Sequence, residues 1–224
     1  MLSRALGRGL WAVYDSMGAL LIHSFFWTVC SIPILTMPAA TAALFHVTVR
    51  LSDGREAVPA DFFRAFRRYF WRAEALGALN LAAAGLILAN LAFYSHLSGS
   101  LKILGVLLAG LCIWLLLLLG MVQVFAWPLL VWRKVGMGTL LKRAALITLD
   151  NPGTAFGVGL AIALFGGFAV VTVAGFIFFG AGACAMLAAA AFTTVAARYD
   201  DEVRQRREDE PDRSFREIIR PWEQ

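Results

Sequence analysis

The chain has 224 residues, 60% of them hydrophobic and only 16% charged, with a formal net charge of +5 and a mean hydropathy of +0.72. A water-soluble domain carries about a quarter charged residues, whereas residues 17–35, 75–94, 103–132 and 153–197 here hold no Asp, Glu, Lys or Arg. Runs of that length exclude a soluble globular protein, leave no role for nucleic acid, and specify an all-α polytopic transmembrane helical bundle.

Arg4 and Arg8 precede the first apolar run, and "AATAA" within it has the look of a cleavage site. The run is longer than a signal-peptide core and further spans follow, so an uncleaved first segment is expected. Residues 17–51 would make one helix of about 52 Å, too long for an upright span. Inside it lies "SIPILTMPAATAAL" (31–44). Proline disfavours helical geometry in the residue before it, so Ile32 and Met37 are expected to leave the helix. Pro33 then ends one helix and Pro38 starts the next. Pro33, Thr36, Pro38 and Thr41 form the candidate broken-helix turn. One reading is a hairpin turn whose threonines satisfy the freed backbone groups. The other is an interrupted helix that holds a solute. The plain turn is preferred.

Residues 60–73, "ADFFRAFRRYFWRA", repeat Arg64, Arg68 and Arg72 every four positions, with Arg67 beside them. Phe62, Phe63, Phe66, Tyr69 and Phe70 share a side, and Asp61 stands in the first turn after Pro59. This is a basic aromatic helix suited to anionic headgroups, with Arg64, Arg67, Arg68 and Arg72 as its lipid contacts. Residues 75–94 form a span closed by the turn "SHLSGS" (95–100). Residues 101–132 form the next, ending at Trp127 and Trp132 as an interfacial pair around Pro128. A second amphipathic piece, 138–153, sets Leu140, Leu141, Ala144 and Ile147 against Lys142 and Arg143. Asp150 or Asn151 then caps a helix opening at Pro152.

Residues 153–197 would extend about 67 Å as one helix and must fold back, with Gly175 as the natural turn. Two stripes of small residues recur every four positions: Ala155, Gly159, Ala163, Gly167, and Ala181, Ala185, Ala189, Thr193, Ala197. Such stripes let helices approach closely in lipid, so the hairpin is expected to pack on itself, or one stripe to pair a second copy into a homo-oligomer. The domain thus covers 1–199, followed by a polar tail at 200–224. Asp200/Arg204 and Glu202/Arg206 in that tail have the spacing that prolongs a helix.

With residues 17–51 as a hairpin there are about six membrane-embedded helices, and nineteen of the twenty Lys and Arg fall on one side. A single crossing gives a split of 17 to 3 instead. Both satisfy the positive-inside rule with a cytoplasmic tail, and six, with a cytoplasmic amino end, satisfies it better.

Chemistry is sparse. His23, His46, Asn80, Asn90 and Gln123 are the polar residues of the apolar runs, and interhelical hydrogen bonding is their expected role. Cys30, Cys112 and Cys184 lie in separate runs without a ligand pattern. No catalytic constellation, metal site or cofactor is expected, and the chain reads as non-enzymatic.

"SIPILTMPAATAALFHV" followed by "DFFRAFRRYFWRA" resembles the YesL-like family of bacterial membrane proteins, a family of unknown function. Its members show "lPivTiGPatAAly" and then "FfraFkenFkqa" at about this separation. The resemblance extends over roughly residues 10–200, with Met37 where the family has glycine and Tyr69 where asparagine is common. It implies a multi-pass protein of the bacterial inner membrane with an accessory or regulatory role in carbohydrate uptake, beside an ABC transporter permease or another membrane partner. The alternative is a stand-alone small-molecule transporter or channel using the broken helix at 31–44. The acidic coupling loop of an ABC permease is absent from the sequence.

Overall fold

The structure is a computed structural model that describes residues 2–97, 101–132, 135–172 and 179–209. The expected turn at Gly175 and the tail beyond Asp209 lie outside the described residues. Among the described residues eight α-helices follow one another: α1 (Leu2–Asp15), α2 (Met17–Ser31), α3 (Met37–Ser52), α4 (Pro59–Ser95), α5 (Lys102–Trp132), α6 (Met137–Asp150), α7 (Pro152–Val171) and α8 (Ala181–Asp209). No strand occurs among the described residues. Residues 1–193 form one compact unit and 194–224 a second, whose described part continues α8 to Asp209.

The core of the first unit is α3. Ala39, Ala40, Ala42, Ala43 and Val47 are fully buried, and Leu44 nearly so. A helix apolar on every side belongs in the interior, and its alanines let α2, α4 and α5 close around it. It ends at Gly54, whose φ of +71° no β-carbon would favour, with the Arg55 amide reaching back to the Arg50 carbonyl at 3.0 Å.

Antiparallel contacts align α4 and α5 along their length. Tyr69 Oη donates to the Val131 carbonyl at 3.0 Å, and Asn80 and Gln123 exchange two amide hydrogen bonds at 2.8 and 2.6 Å. Gly105 lies against Tyr94 and Leu97 near the far end. On the other side of the unit Gly9 of α1 rests on Leu187 and Ala190 of α8, and the Gly182 amide at the start of α8 donates to Ser24 Oγ of α2 at 3.0 Å.

Among the described residues five helices are long and apolar enough to cross a membrane; α2, with 15 residues, is apolar but short. The break expected within 31–44 is present, between Ser31 and Met37, yet it does not lie level with the far end of α4. Pro38 packs on Gly77, eighteen residues before Ser95, so α4 runs about 27 Å beyond the level of Pro38. Only 6% and 11% of the most apolar stretches of α4 and α5 are buried, which leaves that extension facing lipid. With α4 and α5 crossing the bilayer, Gly77 lies about 3 Å inside the charge-free run that starts at Ala75, so the tip bearing exposed Ile32, Ile34 and Leu35 dips into the apolar layer and stops well short of its far side. The α2–α3 hairpin then enters and leaves on one side. In a cysteine-free background, Ile34→Cys should resist a membrane-impermeant maleimide from either side, while Ser3→Cys and Arg55→Cys label from the same side. Labelling of positions 3 and 55 from opposite faces would show that the chain crosses once there.

The basic segment is not a separate helix lying flat. Residues 59–95 form one continuous rod, so the arginines project along the same axis as the span that follows. Nothing between Arg72 and Ala75 breaks helix propensity, and Phe62, Ala65, Tyr69 and Ala73 bury one continuous face.

Candidate functional site

The turn between α2 and α3 closes on itself. Ile32 and Met37 keep right-handed helical angles despite the prolines after them, and the change of direction falls on Pro33, at ψ 105°. Proline's effect on its predecessor is a bias that tertiary packing overrides here. Thr36 Oγ1 donates to the carbonyls of Cys30 and Pro33 at 2.5 and 2.8 Å, satisfying acceptors released where α2 stops. Thr41 Oγ1 donates to the Met37 carbonyl at 2.8 Å and accepts from Trp27 Nε1 at 3.1 Å. At the start of α3 the Ala39 amide donates to Glu74 Oε1 of α4 at 3.3 Å, which sets a carboxylate at the positive end of the helix dipole. Glu74 was not legible as a partner, since it stands just outside the charge-free run; the signal was a helix opening "MPAAT" with no acid of its own.

Beside this turn lies an apolar cavity of about 590 Å³. Met37, Thr41 and Phe45 of α3 form one wall with Trp27 of α2, Gln123 and Trp127 of α5 another, and α7 and α8 close much of the remainder. The two small-residue stripes, expected to pack on each other, instead contribute Gly159, Ala163, Ala181 and Ala185 to this space. The two helices meet where Cys184 Sγ points at the Ile162 carbonyl at 3.8 Å. The stripe removes side-chain volume, and what it leaves at this level is room. Trp127, half-buried, stacks on Phe45 with ring centroids 6.4 Å apart. Trp132 packs on Phe192.

The polar set separates. Asn80 and Gln123 form the interhelical pair foreseen for all five residues, and Gln123 also borders the cavity. Asn90 bonds within its own helix to the Leu86 carbonyl at 2.8 Å, and His23 Nδ1 lies 2.6 Å from the Ala19 carbonyl. His23 is buried between Phe26 and Phe62, while His46 faces the Tyr69 ring at 5.8 Å. The two histidines thus have different neighbours. Among the described residues no His, Cys, Asp or Glu cluster is arranged to hold a metal. Asn80→Leu and Gln123→Leu should couple by about 0.6–1.7 kcal/mol in a double-mutant cycle of unfolding in bicelles; additive effects would mean that the pair does not form in lipid.

The basic segment has its own geometry. Asp61, 5% exposed, accepts from the Val58 amide at 3.1 Å, and pairs with Arg50 at 3.5 Å and with Arg64. The Val58 hydrogen bond does most to hold its carboxyl below the usual carboxylate value; burial opposes this, and Arg50 and Arg64 reinforce it. Arg67 and Arg68 are exposed and Arg72 is half-buried; Arg68 and Arg72 line a cleft with Tyr69 and Val135.

Residues 19–91 match the family model described as a protein of unknown function, DUF624. The DUF624 segment runs from α2 into the apolar part of α4 and contains the broken turn, the buried α3 and the whole Arg-rich stretch. Gln123 and the α7 and α8 walls of the cavity lie outside it. No curated protein and no solved structure matches the chain.

Proposed function

We propose that the chain is a non-enzymatic membrane protein that serves as an accessory or regulatory component of carbohydrate uptake by an ABC-type transporter. In this reading it is a YesL-like member of the DUF624 group, set in the bacterial inner membrane with its amino end and tail in the cytoplasm. The carbohydrate link comes from the resemblance of "SIPILTMPAATAALFHV" and "DFFRAFRRYFWRA" to that family. The observation that favours an accessory over a carrier is the broken turn. Thr36, Thr41, Trp27 and Glu74 direct their polar atoms at the chain's own backbone and at each other, where a carrier would keep groups for its solute. Affinity purification from native membranes should recover an ABC permease or its binding protein, and flux of sugar through the purified chain alone in liposomes would overturn the proposal.

A second reading, a stand-alone transporter, is favoured by the cavity beside Met37 and Thr41. Its apolar wall suits an apolar or amphipathic cargo. The same liposome assay, run with such a cargo, tests it.

A further inference from the structure

Arg68 and Arg72 stand one helical turn apart on α4, a spacing at which like charges repel. Both line a cleft of about 420 Å³ between α4 and the connection after α5, together with Tyr69 and Val135. The nearby acids are engaged elsewhere: Asp61 with Arg50 and Arg64, Asp53 with Arg55, and Glu74 with the Ala39 amide. Among the described residues neither arginine has a carboxylate partner. Arg72 donates a hydrogen bond to the Val135 carbonyl at 2.5 Å, and its guanidinium has further N–H donors beyond that one. Arg68 stands 5.6 Å from the Tyr69 ring centroid, and the Tyr69 hydroxyl is engaged with Val131. The cleft therefore presents two guanidiniums and no competing acid.

Depth decides what fills it. The charge-free run of α4 starts at Ala75. Arg72 and Arg68 precede it by about 5 and 10 Å along an unbroken helix, the thickness of a headgroup layer. Trp71 between them is 82% exposed, as an interfacial aromatic would be. Phosphate oxygens accept well from guanidinium forks. A zwitterionic lipid brings its own ammonium to the same place, whereas an anionic lipid relieves the repulsion between the two arginines.

We propose that Arg68 and Arg72 form a discrete binding site for the phosphate of an anionic phospholipid. The site does not depend on the carbohydrate reading. Native mass spectrometry of the full chain in detergent, titrated with phosphatidylglycerol or phosphatidylcholine, tests it. Phosphatidylglycerol should be retained preferentially, and about tenfold more weakly by the Arg68→Gln/Arg72→Gln variant. Because Arg72 also braces the Val135 connection, Arg68→Gln alone is the second variant, and it should lose retention several-fold with unchanged thermal unfolding. Lys142→Gln, an exposed charge on α6, should retain the lipid fully. Equal retention by wild type and both arginine variants, or equal loss in Lys142→Gln, overturns the site. Displacement of phosphatidylglycerol by millimolar inorganic phosphate overturns the lipid as the source of the phosphate.

Discussion

Gly77→Leu should lower the stability of the detergent-solubilised protein by about 3 kcal/mol, read as a drop in the midpoint of thermal unfolding. A β-carbon at Gly77 would lie 2.5 Å from Cγ and 2.8 Å from Cβ of Pro38. Those atoms belong to a ring that cannot rotate aside, on the first turn of the helix most deeply buried in the unit. The clash must therefore move α3 against α4, and with it the Ala39–Glu74 hydrogen bond. Helix propensity works the other way: alanine is better than glycine by about 1 kcal/mol within a helix. Gly77→Ala should still destabilise, because the overpacking term at 2.5 Å exceeds that gain. Gly85, eight residues on, meets nothing within 4 Å. Gly85→Ala is thus the internal control, expected to be neutral or slightly stabilising. A Gly77→Leu variant as stable as the wild type would show that α3 does not seat on α4 at this point.

The same contact marks the limit of what the sequence made legible. Helix length, charge-free runs and the paired prolines foretold an all-α bundle with a break within 31–44, since each is a local property of the chain. They did not foretell the depth of the break, because depth is set by which residue of α4 opposes Pro38. Nor did a four-residue repeat of small side chains tell packing from space: Gly159 and Ala185 satisfy the same periodicity whether a helix or a cavity lies beside them. The ring partner of Trp127 was hidden for a related reason. An aromatic beside a proline near a span's end suits an interface, but its stacking on Phe45 depends on how α3 threads the bundle. The Arg-rich segment was the best-read local feature. The sequence identified its basic face, while only the fold separated Arg64, held by Asp61, from Arg68 and Arg72, which share a cleft.

Asp61→Ala should cost about 3 kcal/mol and flatten the acid limb of the stability profile. Its carboxylate joins the start of α4 to the end of α3 through Arg50, and its side chain is 6% exposed against 35% for Arg50 and 72% for Arg64. The Arg64 contact, largely in water, contributes little. Arg50 is different: its Nε is buried without a hydrogen-bond partner, and its Nη2 donates to the Glu56 carbonyl at 3.1 Å. Removing Asp61 leaves that partly buried cation uncompensated, which places the loss toward the lower end of the range for a broken buried pair. Asp61→Asn, which keeps an acceptor for the Val58 amide but not the charge, should lose less than Asp61→Ala; an equal loss would assign the whole effect to the charge facing Arg50, and no loss at all would assign it to the amide contact. The pH dependence follows from the depressed carboxyl pKa, for which the Val58 amide is the largest cause. A group held below its unfolded value adds stability that is complete above about pH 4 and vanishes as pH falls through the folded pKa. Unfolding midpoints between pH 7 and pH 2.5 should therefore fall more steeply in the wild type than in Asp61→Ala, and the two curves should converge at the acid end. Parallel curves would place the acid sensitivity in other carboxylates and leave Asp61 a hydrogen-bonding residue only.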